Sequence, residues 1–532
     1  MNVSITVSGA AAEAVERIVP QLVSDLVASR ITAGDASLGG AEAEEEASKR
    51  LGWVEAVSTS RPMVDDIMAL GAKLRDDGIN HIVLGGMGGS SLAPEVITRT
   101  YGVPLTVLDS TDPGQVLAAL GHRLATTAVV ISSKSGSTVE TDSQKRIYEQ
   151  YFNGAGIDPL DRIIIVTDPG SPLDVSARAA GYRVFNADPN VGGRYSALTA
   201  FGLVPSGLAG VDISELLDEA EAALLPLSVD EPENVGLILG AAIAGTRPLR
   251  NKLGIVSDGT HILGFGDWAE QLIAESTGKL GKGVLPVVLN TASAELSAGL
   301  SDLQIVRLVG DREDTETVAH GEIEIAGTLG AQLLTWQYAV AVAGRILGIN
   351  PFDQPDVESA KLAARALTDH PSAPQPPAFT VGDIEVRGTA NVLDGAHDLE
   401  TVVQRLLALI ASDGYLAVHA YADRVAHPEL VAVRDALAAR VSRPTTFGWG
   451  PRFLHSTGQF HKGGPAVGVF LQIIAVEETD LQIPDRPFTF GELILAQAAG
   501  DAAVLAERGR PVLTLTVRRP AQSLPTVVAA LS

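Results

Sequence analysis

The sequence predicts an α/β fold of parallel sheets flanked by helices, extended by a C-terminal α/β module that looks like a degenerate repeat of the second of two earlier units. Two observations carry this reading. Short apolar runs of strand length alternate with stretches of helical period, at 81–84, 105–108, 128–131, 163–166 and 182–185, and again at 253–256, 284–289, 304–309 and 322–326. Glycine- and serine-rich turns follow two of these runs directly. Strands that alternate with helices make parallel sheets, and ligands of such sheets gather at the carboxyl ends of the strands.

Composition sets outer bounds. A chain of 532 residues is long enough for two or three domains, each with its own core. Its formal net charge of −25 opposes long-range attraction to nucleic acid or to an anionic membrane, so an anionic substrate would need a local positive site. The absence of Cys excludes disulfides and thiolate metal ligands and is neutral about compartment, which leaves the cytoplasm as the default. Residues 1–14 carry no basic segment followed by an apolar stretch, and no later apolar run approaches a bilayer span, so neither export nor membrane insertion is expected.

The chain divides into a helical segment, 1–78; a first α/β unit, 79–228; a second, 229–370; a Pro-rich linker, 371–378; and the C-terminal module, 379–532. In the first segment Val15, Ile18, Val19, Leu22, Leu26 and Val27 recur at helical spacing, the mark of a packing face. The run His81-Ile82-Val83-Leu84 then leads into Gly85-Gly86-Met87-Gly88-Gly89-Ser90. Glycines there let a ligand approach the backbone closely. Such a turn alone is weak evidence, because dinucleotide folds use one too, although no G-x-G-x-x-G with a following acid fits here.

The stretch Ser132-Ser133-Lys134-Ser135-Gly136-Ser137-Thr138 reads as the exit of a strand and the mouth of a helix. Backbone N–H groups at a helix start, with several hydroxyls, form a cradle for phosphate. An ordinary helix cap would explain one hydroxyl; four hydroxyls and a Lys within 133–138 favour the anion site. Val191-Gly192-Gly193-Arg194 puts a guanidinium behind two glycines, where it can reach a substrate oxyanion; alone, it would serve equally as a turn with a solvated Arg.

In the second unit a helix over 267–276 places Gln271 and Glu275 on one face, four residues apart, where a solvated pair is the plain alternative. A long apolar helix, 329–347, leads to Phe352-Asp353-Gln354 and on to Lys361. Beyond the linker come helix 399–411, strand 415–418, helix 429–439, then the runs 447–451 and 467–474, helix 489–507 and strand 512–517, an order that repeats the second unit. The clearest trace is Thr328-Leu329-Gly330 against Thr489-Phe490-Gly491, each opening a long helix.

Taken in chain order, GMGGSSLAP, SSKSGSTVET, VGGRYS, WAEQLIAESTGK and FDQPDVESAK resemble the glucose-6-phosphate isomerase family, built on two sugar isomerase (SIS) domains. The resemblance covers roughly 78–369 and departs at Asp356, where the family usually has Gly. It implies reversible isomerisation of glucose 6-phosphate and fructose 6-phosphate through ring opening and a cis-enediolate, in glycolysis, gluconeogenesis and the pentose phosphate route, with no cofactor and no metal. It also implies the roles. Ser133, Ser135 and Thr138, with the backbone near Lys134, would hold phosphate, while Gly88, Gly89 and Ser90 would lie against the sugar. Glu275 would be the base that moves the proton, and Arg194, behind Gly193, would stabilise the enediolate. Lys361 and a histidine would assist ring opening, and Gln271 and Gln354 would bind hydroxyls.

The histidine is displaced. In relatives it lies between the motifs matched by Glu275 and Lys361, but that interval holds only His320, and the family's Leu-His-Ser-Met-Gly-Gln pattern is matched later by Leu454-His455-Ser456-Thr457-Gly458-Gln459. His455 is favoured over His461 because it carries its neighbours with it, with Glu140 as a candidate to orient it. In the family the histidine comes from the neighbouring subunit, so the resemblance implies either a monomer with an internal pseudo-dimer or a homodimer. Other readings are a dual phosphoglucose/phosphomannose isomerase and a sugar-phosphate-binding SIS protein without turnover. The isomerase module of an amidotransferase would need an N-terminal nucleophile, usually Cys, and the chain has none.

Overall fold

The computed structural model describes residues 3–121, 123–310, 322–356 and 376–532. Among them the apolar runs form three sheets. The chain opens on β1 (Ser4–Val7), then helices over 9–76, and the first sheet consists of β2 (His81–Gly86), β3 (Thr106–Leu108), β4 (Thr127–Ser132), β5 (Ile163–Thr167) and β6 (Arg183–Asn186). All five run parallel in the order β3-β2-β4-β5-β6. Strands β2, β4 and β5 are buried along their whole length, which is why they read as continuous apolar runs and not as alternation.

The second sheet holds β7 (Lys252–Asp258), β8 (Leu285–Leu289), β9 (Leu303–Val309) and β10 (Glu322–Ala326), parallel in the order β10-β9-β7-β8. β1 closes its edge antiparallel to β10. The division by sequence assigns residues 4–7 to a helical segment; their alternation of Ser, Ile, Thr and Val, half-buried at most, is instead that of an edge strand.

The third sheet is β11 (Phe379–Val381), β12 (Ile384–Gly388), β13 (Tyr415–Tyr421), β14 (Thr445–Trp449), β15 (Gly468–Ala475) and β16 (Val512–Val517). Its parallel part runs β16-β15-β13-β14, and β12 lies antiparallel on β16. This is the order of the second sheet, strand for strand, with an antiparallel strand on the same edge. The helices that suggest the repeat do not share a place in it, however. Helix Leu329–Leu347 follows the fourth strand of its unit, whereas helix Phe490–Glu507 precedes its own. Both are long, largely buried helices opened by a Thr, and that shared physics, not equivalent position, makes their sequences alike.

The third module is fused to the body through common cores. Ile483, Phe488, Phe490 and Leu493 join the cluster of Val83, Ile131 and Tyr148 beneath the first sheet, and Tyr415, Phe460 and Phe470 join that of Val256, Val287 and Leu303 on the second. No helix among the described residues is long and apolar enough to cross a membrane.

Candidate active site

In the first sheet β2 and β4 are neighbours, and their connections leave toward opposite sides, to β3 and to β5. The crevice outside such a switch point is where ligands of open parallel sheets bind. Both expected loops lie there, one after Gly86 and one after Ser132, which are register partners. Gly88 has φ +56°, and a Cβ on it would stand 2.6 Å from the carbonyl oxygen of His455. At Gly89 a Cβ would stand 2.0 Å from the carbonyl oxygen of Gly193. Glycine at these positions lets the loop touch the Arg194 turn and the C-terminal module together. Ser90 is buried beside them.

Thr138 caps helix Val139–Gly154 by position but makes no side-chain capping bond. Its hydroxyl accepts instead from Ser133 Oγ at 3.1 Å, Ser133 Oγ accepts from the Gly136 N–H at 3.2 Å, and Ser135 Oγ accepts from the Ser137 hydroxyl at 3.1 Å. The hydroxyls thus form two pairs at the helix mouth, Ser133 with Thr138 and Ser135 with Ser137. Lys134 departs from the expectation, because its ammonium turns outward to Asp168 Oδ2, at 2.5 Å, and to the Pro189 carbonyl. Only its backbone stays in the loop.

Helix Phe265–Thr277 carries Gln271 and Glu275, both buried. Glu275 Oε2 lies 3.5 Å from Arg194 Nη1. Arg194, 2% exposed, donates from Nε to Ser276 Oγ at 2.8 Å, from Nη1 to Gln354 Oε1 at 2.7 Å, and from Nη2 to the carbonyls of Pro351 and Asp353 at 2.6 and 3.1 Å. One guanidinium thus fastens the turn after Glu275 to the loop that bears Gln354. Lys279, the last residue of the WAEQLIAESTGK motif, does the same work, donating to the Asn350 carbonyl at 2.7 Å and to Asp353 Oδ1 at 2.6 Å. Burial, with Arg194 next, pushes the Lys279 ammonium down to about 8, against the pull of Asp353.

His455 reaches this group from the third module. Its Nε2 lies 2.9 Å from Glu140 Oε1 in the first turn of helix 139–154, and its carbonyl accepts from Gln271 Nε2 at 2.8 Å. A carboxylate oxygen accepts, so Nε2 is the donor of this pair. Gln459, of the same motif, donates to the Gly278 carbonyl at 2.9 Å and to Asp356 Oδ2 at 2.8 Å, and Arg508 donates to Asp356 Oδ1 at 2.7 Å. Asp356, the departure from the family pattern, is therefore a seat for the C-terminal module. His461 lies in that module's core, its Nδ1 3.0 Å from the Tyr415 hydroxyl. Lys361 and His320 fall outside the described residues.

No protein-family model matches the chain. It is 30% identical over 340 residues to a probable glucose-6-phosphate isomerase of Haloarcula marismortui, a match spanning 54% of this chain and 77% of the relative. The chain belongs to the glucose-6-phosphate isomerase family. It is also 29% identical over 346 residues to the glucose-6-phosphate isomerase of a Cyanothece strain, of which it covers 65%. Among solved structures, a glucose-6-phosphate isomerase of Chlamydia trachomatis superposes with a TM-score of 0.52 at 19% identity, over 65% of this chain and 79% of that one. A hypothetical protein of Thermus thermophilus superposes with a TM-score of 0.57 at 23% identity, over 68% of this chain and 99% of that one. At those identities the likeness is one of fold.

For this member of the glucose-6-phosphate isomerase family, the seating of the third module also rests on ion pairs that no motif announced. Arg452, three residues before His455, pairs with Glu95 Oε2 at 2.6 Å and Asp109 Oδ2 at 3.0 Å, and Arg424 pairs with Glu95 Oε1 at 3.0 Å. Burial works against the charge on Glu95, but the two guanidiniums hold its carboxyl near 2. Buried pairs of this kind tolerate few alternative dockings, because removing one partner strands the other.

Proposed function

We propose that the protein interconverts glucose 6-phosphate and fructose 6-phosphate at a site completed within one chain. The carrying observation is that the buried Glu275–Arg194 pair and the His455–Glu140 pair are joined through Gln271, whose Nε2 meets the His455 carbonyl. Gln271 Oε1 is a buried acceptor without a hydrogen-bond partner among the described residues, a situation that a substrate hydroxyl relieves.

Phosphate binds at the hydroxyls of Ser133, Ser135 and Thr138, on the amides of the helix start. His455, held by Glu140 and acting with Lys361, moves the proton between ring oxygen and anomeric hydroxyl that opens the ring. Glu275 then takes the proton from C2 of the open-chain aldose and returns it to C1 of the enediolate. A proton passes between O1 and O2 in the same step, so the product is the ketose. Arg194 favours the charged enediolate, an electrostatic contribution of about 3 kcal/mol. A coupled assay with fructose 6-phosphate and glucose-6-phosphate dehydrogenase tests the reading. Steady NADPH formation is expected; binding of the sugar phosphate without turnover would leave a sensor instead. Mannose 6-phosphate in the same assay tells a single from a dual specificity.

A further inference from the structure

The Glu140 carboxylate has a second donor that neither the motifs nor the mechanism above uses. Gln497, in helix 490–507 of the third module, is 3% exposed and donates from Nε2 to Glu140 Oε1 at 2.7 Å, the same oxygen that faces His455. Its own Oε1 accepts from the hydroxyl of Thr111 at 2.7 Å, and Thr111 is fully buried in the loop after β3. The carboxylate oxygen, which accepts, fixes the sense of the amide, and the Thr111 hydroxyl donates to the amide oxygen left over. Turned over, the amide would set its own oxygen against the carboxylate.

The geometry points to Gln497 as a positioning residue for the Glu140–His455 pair, and so as a second contribution of the C-terminal module to the site besides His455 itself. This rests on the reading of His455 as the ring-opening group. Helix 490–507 is a rigid carrier for such a role. At its start Phe490 and Leu493 are sunk in the core of the first sheet, and four residues beyond Gln497 Asp501 pairs with Lys462 at 2.6 Å, in the short helix that follows His455. Two donors on one carboxylate oxygen restrain its rotation, which keeps the imidazole proton on Nε2 and leaves Nδ1 to exchange a proton with the sugar. Without Gln497 the carboxylate can swing, and the imidazole loses its single orientation.

The test uses full-length protein labelled with 15N-histidine, in which the His455 resonance is identified by its loss in His455→Ala. The parent is expected to show the Nε2–H tautomer. Gln497→Leu should shift His455 toward a mixture of tautomers and lower kcat with fructose 6-phosphate by about tenfold, with KM changed by less than about twofold. Thr111→Val, which leaves Gln497 in place but removes the donor that holds its amide oxygen, should do the same to a smaller extent. Should Gln497→Leu fail to fold, Thr111→Val decides by the same two readings. An unchanged His455 tautomer in the folded variants, with kcat near the parent value, overturns the proposal. If the parent itself shows no isomerase activity the functional reading falls, while the tautomer still decides whether Gln497 orients the pair.

Discussion

His455 Nε2 and Glu140 Oε1 meet at 2.9 Å although 315 residues of chain separate them. The contact joins the third module to the first, inside one polypeptide. Expected from this is a site that needs no second chain. Glu275→Gln and His455→Ala, each inactive alone, should therefore fail to restore activity when unfolded and refolded together. A dimer with exchanged tails would instead recover about a quarter of the parent rate, because half of its mixed dimers' sites would be intact.

In the proposed mechanism Glu275 acts in the chemical step and not in holding the phosphate. Glu275→Gln keeps the size of the side chain beside Arg194 and should lower kcat about a thousandfold while changing the affinity for 6-phosphogluconate little. Steady-state kinetics and inhibitor titration check it, and near-normal turnover would refute the role.

The hydroxyl cluster at the mouth of helix 139–154 predicts the opposite split. Ser135→Ala combined with Thr138→Ala removes two donors from the phosphate site and should raise KM about a hundredfold, with a smaller change in kcat. Because Thr138 makes no capping bond to its own helix, thermal stability should hardly change. If inorganic phosphate and sugar phosphates bind the double variant as well as the parent, the loop is not the phosphate site.

Asp112 predicts a pH dependence of stability. Its carboxyl is buried between modules, and burial, together with Glu477 and Asp423 of the third module, raises it from 3.8 to about 7. The folded-state value lies above the unfolded one, so the folded protein holds an extra proton between about pH 4 and pH 7, and stability falls as pH rises across that window. Asp112→Asn keeps an acceptor for the Gln115 N–H and removes the charge. It should raise Tm by several degrees at pH 8 and by less at pH 5, read by thermal unfolding at both. An equal effect at the two values would contradict the assignment.

What the sequence determined by itself is whatever repeats over a few residues. Continuous burial wrote out the strands, since β2, β4 and β5 are buried throughout and mostly apolar, and the motifs supplied the residue types of the candidate site together with the displaced LHSTGQ run. The tertiary structure alone decided partnership. Lys134 stands among phosphate-loop hydroxyls in the sequence, yet its ammonium goes to Asp168, 34 residues on. Asp356 is a bare departure from a pattern until Gln459 and Arg508 meet it from the third module. Gln497 carries no signal, because a Gln inside a long buried helix resembles any other until Thr111 and Glu140 lie on either side of it. The physical reason is one of range: periodicity and capping are set by neighbours within a few residues, whereas a hydrogen bond across two sheets depends on how their cores pack, which no local stretch records.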